Sequence, residues 1–169
     1  MIKFLYLDRH WANIKHHYFE TLDDLWSQGK VVYEDLNVVD LIKQHTNRKY
    51  VTLTNSCTDA ITMMIEATVK PGSEIICPAY SYYATASAIT RAGCIPVFVD
   101  VNENYHINLN KVDVGPNTKG LIYVSLFGNP MDYQAVKDFC KSNNIICFED
   151  AAQSFGASHN NIKSGSAGS

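Results

Sequence analysis

Short apolar runs alternate with amphipathic stretches through the central part of the chain, between residues 50 and 150. The apolar runs are too short for buried helices and predict strands. They lie at residues 50–53, 74–78, 94–100, 119–126 and 145–150. The stretches 60–69, 84–92 and 132–142 carry apolar side chains at helical spacing and predict helices. Because strands that alternate with helices imply right-handed crossovers, we predict an α/β fold with a parallel sheet.

The two flanks of this pattern predict simpler elements. Residues 18–26 and residues 36–42 carry apolar side chains at helical spacing, which predicts two helices near the start of the chain. Residues 156–165 predict a β-hairpin that turns at Asn160 and Asn161. The histidines are scattered and show no metal-binding spacing, so we predict no metal site.

Composition and charge narrow the classes of protein. The chain has 169 residues, 46% hydrophobic and 18% charged, which fits one globular domain. Its net charge of -3 gives no electrostatic case for binding nucleic acid. Five cysteines without a Cys-x-x-Cys pair favour reduced thiols over a disulfide framework. We find neither a signal peptide nor an apolar run long enough to span a membrane, and we therefore expect a cytoplasmic protein with no membrane partner.

Three stretches carry candidate chemistry. The last predicted strand ends at Asp150, and ligands of open α/β sheets lie just outside the carboxyl ends of the strands. Residues 54–59 form a polar turn before a helix, where free N–H groups and the helix dipole suit an anion, and Thr58 adds a hydroxyl. A cluster of tyrosines follows the strand at residues 74–78, where a flat ligand could stack.

Each of these stretches also has a simpler interpretation. A strand can end in solvated charge without any ligand. Ser56 or Thr58 can cap the following helix, which contributes about 1 kcal/mol, and the local sequence favours capping. Tyr80, Tyr82 and Tyr83 can be ordinary core and rim residues, and we favour that interpretation for two of the three. The residues alone leave these alternatives open.

Five blocks, taken together and in order, are more specific. They are SCTDAI (56–61), PAYSYYATA (78–86), GCIPVFVD (93–100), SLFGNP (125–130) and EDAAQSFGA (149–157). In residue identity and in order they resemble the motifs of the sugar aminotransferases of the DegT–StrS type, which are fold-type-I enzymes dependent on pyridoxal 5'-phosphate (PLP). The resemblance covers roughly residues 49–169. It implies the large PLP-binding domain of that fold, a three-layer α/β/α arrangement with a mostly parallel sheet.

The resemblance implies a role for five residues. Asp150, the catalytic residue of the set, would keep the pyridine nitrogen of PLP protonated through a charge-assisted hydrogen bond. Gln153 would bond the phenolic oxygen of the ring, and Tyr82 would stack on the ring face. Cys57 and Thr58 would cradle the phosphate at the start of a helix.

The sequence departs from the family pattern at three points. Cys57 stands where the family usually has Gly, although the backbone N–H survives the change. Ser125 stands where a His is common. The lysine to which the family attaches PLP follows a Gly-Ser-x-Gly stretch, which is found here at residues 165–168. Lys163 precedes that stretch, so it is not expected to substitute.

By resemblance, the expected function is that of an aminotransferase in amino-sugar biosynthesis. It would move an amino group from an amino acid, glutamate, to a nucleotide-linked keto-sugar, and it would act as a homodimer. We expect an N-terminal helical segment at residues 1–48, a partial PLP-binding domain at residues 49–169, and no C-terminal small domain. The 169-residue chain alone is then expected to be inactive.

Three alternatives stay open. Some relatives of this family are sugar dehydratases in which His replaces the lysine, and the deciding position lies outside residues 1–169. A truncated, non-catalytic chain is the second alternative. A plain nucleotide-binding Rossmann domain is the least favoured, because the sequence has neither a Gly-x-Gly-x-x-Gly nor a Gly-x-x-x-x-Gly-Lys-Ser/Thr motif.

Overall fold

The computed structural model describes residues 7–29 and 38–169. The chain divides into two compact units, with the division between Val38 and Val39. This division lies before residue 48, where the sequence places the end of the helical segment.

The described part of the first unit is dominated by a single helix, α1 (Leu7–Ser27). It confirms the helix predicted at residues 18–26 and begins earlier. Trp11, Tyr18 and Phe19 are spaced so that they share one face of this helix, and their ring centroids lie 5.6–6.0 Å apart. Gly29 follows the helix with a φ of 69°, the left-handed conformation that commonly ends helices.

The second unit is built on a four-stranded sheet in which all strands are parallel and in the order β2-β1-β3-β4. The strands are β1 (Glu74–Pro78), β2 (Ile95–Val99), β3 (Thr118–Val124) and β4 (Ile146–Asp150). The helices are α2 (Val38–Thr46), α3 (Cys57–Thr68), α4 (Ala84–Arg91) and α5 (Tyr133–Ser142). Two 3-10 turns occupy Leu109–Lys111 and Leu126–Gly128. Four of the five predicted strands and the three central helices are confirmed, and α2 confirms the described part of the helix predicted at residues 36–42.

Two apolar cores lie on opposite faces of this sheet. Successive side chains of a strand point to opposite faces, so Ile75 packs with α3 and α4 while Ile76 packs with α5. Along β3, Ile122 joins the first core and Leu121 joins the second. Helices thus cover both faces, which confirms the three-layer α/β/α arrangement.

The prediction of a strand at residues 50–53 is wrong. This segment precedes α3 but has no strand assignment, and neither edge strand of the sheet pairs with it. Tyr50 is 78% exposed and Leu53 is 57% exposed. A strand needs ladder partners for its N–H and C=O groups, and the described residues provide none at this position.

The predicted hairpin is confirmed. Strand β5 (Ser158–His159) pairs antiparallel with β6 (Ile162–Lys163). Asn160 and Asn161 have φ values of 49° and 63°, the positive pair that a two-residue type I′ turn requires and that asparagine tolerates.

Two kinds of feature are absent from residues 7–29 and 38–169. No helix there is long and apolar enough to cross a membrane. No group of three or more His, Cys, Asp or Glu side chains in the same residues could hold a metal ion.

Candidate functional site

The end of β4 delivers Asp150 to the carboxyl edge of the sheet. Val124 of β3 lies beside Asp150 in the parallel register, and the Ser125 N–H donates to the Asp150 carbonyl over 3.3 Å. The residue is only 8% exposed. Its Oδ1 accepts a hydrogen bond from the Ala152 N–H at 3.1 Å. The carboxylate is therefore held by the turn that follows the strand.

The start of α3 combines a helix cap with unused donors. Ser56 is the N-cap, and its Oγ accepts from the Asp59 N–H at 3.1 Å, so the capping interpretation of this turn is confirmed for Ser56. The Ala60 N–H donates to the Ser56 carbonyl. Among the described residues, the N–H groups of Cys57 and Thr58 and the Thr58 hydroxyl have no hydrogen-bond partner. Three donors are thus left at the positive end of a helix, where an anion binds well.

The end of β4 and the start of α3 meet at one cavity of about 170 Å³. All five residues assigned a role by the resemblance line it: Cys57, Thr58, Tyr82, Asp150 and Gln153. The fold therefore brings together a carboxylate, an aromatic ring, an amide and an anion-binding turn. A larger cavity of about 570 Å³ lies beside β4 and α3 and includes none of these side chains.

Gln153 is oriented by the loop that follows β3. Its Oε1 accepts from the Phe127 N–H at 2.7 Å, and because an N–H cannot donate to the amide nitrogen, this contact fixes which way the amide points. Phe127 has a φ of 59°, a conformation that a bulky residue rarely adopts. A Cβ on Gly128 would lie 3.2 Å from the Gln153 carbonyl oxygen. The Gln153 amide N–H groups remain available as donors.

The three tyrosines have different environments. Tyr82 lines the cavity and is 72% exposed. Tyr80 packs against Tyr105 with a centroid distance of 5.4 Å, and Tyr83 occupies the N-cap position of α4. Of the three tyrosines, only Tyr82 lines this cavity.

The side chains of Ser125 and Lys163 do not line the cavity. Ser125 is fully buried, and its Oγ shares a hydrogen bond with the Tyr133 hydroxyl at 3.3 Å. Lys163 lies on β6 and is exposed, as expected for a solvated lysine. Neither side chain lines the cavity, although the Ser125 N–H binds the Asp150 carbonyl.

Sequence reasoning missed a contact between Cys57 and Asp150. The Cys57 Sγ lies 3.5 Å from the Asp150 Oδ1, and the two residues are 93 positions apart in the chain. Partial burial of the thiol, together with the Asp150 charge and hydrogen bond, raises the pKa of Cys57 to about 12. The thiol is therefore protonated at neutral pH and acts as the donor to the carboxylate.

Glu149 makes a separate set of contacts, which sequence reasoning also missed. Its carboxylate accepts from the backbone N–H groups of Gly165 and Ala167, both at 2.7 Å, and of Gly168 at 3.2 Å. The Ser169 N–H then donates to the Cys147 carbonyl at 2.8 Å, on the free edge of β4. The only sequence signal for this contact was a second acid next to Asp150.

Comparison with known proteins identifies the family to which the chain belongs. Residues 25–169 match the model of the DegT/DnrJ/EryC1/StrS aminotransferase family, and the chain belongs to this family. The chain is 32% identical over 170 residues to a UDP-2-acetamido-2-deoxy-3-oxo-D-glucuronate aminotransferase of Pseudomonas aeruginosa, a match that covers 97% of this chain and 47% of the relative. It is 32% identical over 120 residues to the 3-oxo-glucose-6-phosphate:glutamate aminotransferase of Bacillus subtilis, covering 69% of this chain and 27% of that protein.

Solved structures agree on the fold. The chain superposes with a TM-score of 0.85 on NtdA of Bacillus subtilis with bound cofactor PMP, at 28% identity, covering 93% of this chain and 38% of that one. It also superposes on a GDP-4-keto-6-deoxy-D-mannose-3-dehydratase of E. coli with bound hydrated PLP. That TM-score is 0.77, at 25% identity, covering 85% of this chain and 40% of the other. The chain spans about half the length, or less, of the curated relatives it matches.

Proposed function

We propose that this chain supplies the PLP-binding part of an aminotransferase that acts on a nucleotide-linked keto-sugar, with glutamate as amino donor. The observation that carries the proposal is that Asp150, Tyr82 and Thr58 line one cavity at the carboxyl edge of a parallel sheet. Ligands of open α/β sheets bind at such edges. The names of the relatives from Pseudomonas aeruginosa and Bacillus subtilis support the kinds of substrate and donor.

The residues present fit PLP at three places. The N–H groups of Cys57 and Thr58 and the Thr58 hydroxyl, which have no partner among the described residues, suit the phosphate. Within the described residues the Asp150 Oδ2 has no hydrogen-bond partner, because both contacts are made by Oδ1. The Gln153 amide N–H groups suit the phenolic oxygen.

Each residue would then do one physical task. PLP, when bound, supplies an electron sink for the carbon that gains or loses the amino group. The Asp150 carboxylate would hold a proton at the ring nitrogen, since a buried anion favours the protonated pyridine. Tyr82 would cover the ring face and exclude water from it. Thr58 and the start of α3 would neutralise the phosphate charge.

The organisation and setting of the enzyme are also part of the proposal. By family resemblance we propose a homodimer that acts in the cytoplasm, with residues 1–48 as an N-terminal helical segment and residues 49–169 as a partial PLP-binding domain. Because the family's PLP-linked lysine falls beyond residues 165–168 in motif order, we propose that residues 1–169 alone do not turn over. Steady amino transfer by this polypeptide, with both the amino donor and the keto-sugar supplied, would contradict that.

A dehydratase of the same family is the second candidate. The superposition on the E. coli GDP-4-keto-6-deoxy-D-mannose-3-dehydratase supports this second candidate. The two activities differ at the lysine-or-histidine position outside residues 1–169. Sequencing of the gene beyond Ser169 separates them, since Lys there supports the aminotransferase and His supports the dehydratase.

The direct test is titration of the chain with pyridoxamine 5'-phosphate (PMP). PMP has no aldehyde, so it cannot form imines with surface lysines, and any binding that is measured is noncovalent. We expect saturable 1:1 binding, measured by calorimetry, that competes with PLP. Absence of binding by folded protein would overturn the proposed cofactor site.

A further inference from the structure

The Cys57 side chain lies where the start of α3 meets the end of β4. Its Sγ is 3.5 Å from the Asp150 Oδ1, and both residues line the 170 Å³ cavity. The Ala152 N–H donates to the same oxygen at 3.1 Å. One oxygen of the carboxylate therefore receives two donors from two different elements of the fold.

Two donors on one oxygen define the rotation of a carboxylate. The contact from Ala152 alone restrains rotation about the Cβ–Cγ bond less than two contacts from different elements do. With the thiol and the N–H both directed at Oδ1, Oδ2 is the oxygen left for a ligand. A carboxylate can only accept, so the thiol must be the donor, and the pKa of about 12 keeps it protonated.

We propose that Cys57 is a positioning residue, whose thiol fixes the Asp150 carboxylate so that Oδ2 faces the ring nitrogen of the cofactor. This inference rests on the proposed function for its ligand, but the contact between the two side chains does not. It adds to the expected role of Cys57 at the phosphate, which needs only the backbone N–H.

The contact is tested first without any ligand, through the reactivity of the thiol. Cys57 is exposed, whereas the other four cysteines are buried, so a thiol-specific reagent added to folded protein reports on Cys57. Asp150→Asn removes the charge that disfavours the thiolate. We expect the reaction at pH 8 to become about tenfold faster, because the thiolate is the reacting form.

Asp59→Asn is the matched control for this first test. Asp59 is also near the start of α3, but its carboxylate contacts Ser56 and Arg91 rather than Cys57. We expect its rate to stay within about twofold of the parent chain. Cys57→Ala should abolish the reaction that is assigned to the Cys57 thiol. Equal rates for Asp150→Asn and the parent chain would overturn the inference.

The second test uses two ligands, PMP and an analogue in which carbon replaces the ring nitrogen. We expect Cys57→Ala to weaken PMP binding about three- to tenfold, the range for loss of a weak hydrogen bond to a charged partner. Cys57→Ser, which keeps a donor, should stay within about twofold of the parent. The carbon analogue should bind the parent and Cys57→Ala equally, because it makes no bond to Asp150.

The outcomes separate the inference from the proposed function. Equal weakening of PMP and of the carbon analogue in Cys57→Ala would mean that the phosphate cradle was distorted, and it would overturn the positioning role. Faster thiol reaction in Asp150→Asn, with no PMP binding by the parent chain, would support the contact and overturn the proposed function. Selective weakening of PMP, rescued by Ser, supports both.

Discussion

Two strands of the sheet end in the same way but have different roles. The sequence Val97-Phe98-Val99 leads to Asp100 at the end of β2, and Cys147-Phe148-Glu149 leads to Asp150 in β4. The Asp100 side chain is 67% exposed and pairs with Lys111 at 2.8 Å. Asp150 is 8% exposed and lines the cavity. Strand β2 therefore leads to a solvated charge, whereas the charge at the end of β4 is buried.

Position in the sheet does not explain the difference, because β2 and β4 are both edge strands; the elements around each strand end do. At the end of β2, the described residue that binds the acid is an exposed lysine, Lys111. Strand β4 lies beside β3, and the start of α3 approaches its end closely enough for Cys57 to contact Asp150. An acid becomes part of a binding site when neighbouring elements remove it from water and leave one of its oxygens free. The strand that carries it does not decide this.

Replacing each acid by alanine gives the largest expected contrast. We expect Asp150→Ala to weaken PMP binding by about 3–5 kcal/mol, more than a hundredfold, because a bound pyridinium would lose its buried counter-charge. In a chain that also carries the family's lysine segment, the same change should abolish activity. Calorimetric titration measures the affinity, and circular dichroism checks that the variant is folded.

Asp100→Ala is the matched control, since it removes the same side chain from the same end of another strand. We expect PMP affinity within about twofold of the parent, as for loss of a solvated ion pair. Near-normal PMP binding by Asp150→Ala would show that the role of Asp150 is misassigned.

The acid next to Asp150 sharpens the comparison, because Glu149 serves the fold. Glu149→Ala would leave the N–H groups of Gly165, Ala167 and Gly168 without their acceptor. We expect a loss of about 1–3 kcal/mol in the free energy of unfolding, the usual cost of unpaired partly buried donors. Urea denaturation measures it. A stability unchanged from the parent would show that water replaces the carboxylate at no cost.

The start of α3 provides a smaller contrast between two threonines. Thr58→Val removes a hydroxyl that has no partner among the described residues, and we expect PMP to dissociate about tenfold more readily on dialysis while the fold stays intact. Thr68→Val, at the other end of the same helix, removes a hydroxyl that donates to the Met64 carbonyl. This control should retain PMP like the parent. Equal retention by both variants would count against the phosphate site.

These contrasts show which features a sequence can predict. Strands β1 to β4 were predicted because each run is apolar by itself, whatever lies beside it, and this holds even for β2, which is only partly buried. Residues 50–53 look similar, but a strand also needs a partner, and a run of residues does not reveal whether one is near. The hairpin turn was predicted because Asn160 and Asn161 satisfy a local backbone requirement.

The site was predictable only in part for the same reason. Resemblance in five blocks named Asp150, Gln153 and Tyr82, and their cavity follows from the order of the strands. The Cys57 thiol and the Glu149 carboxylate act across 93 and 16 to 19 positions. No local pattern marks such contacts. Cys57 was therefore considered for its backbone alone, and Glu149 for its place beside Asp150.

The smallest expected effect concerns the ion pair at β2. Hydrogen bonding from Lys111, aided by its charge, lowers the pKa of Asp100 below its usual 3.8. A carboxyl group with a lowered pKa stabilises the fold above its unfolded pKa, and this contribution is lost as the pH falls through the folded pKa. We expect Lys111→Met to return the pKa of Asp100 towards 3.8, measured by carboxyl NMR titration. PMP affinity should not change, because neither residue lines the cavity. If Lys111→Met weakened PMP binding, the two strand ends would be coupled, and the separation drawn between them would be wrong.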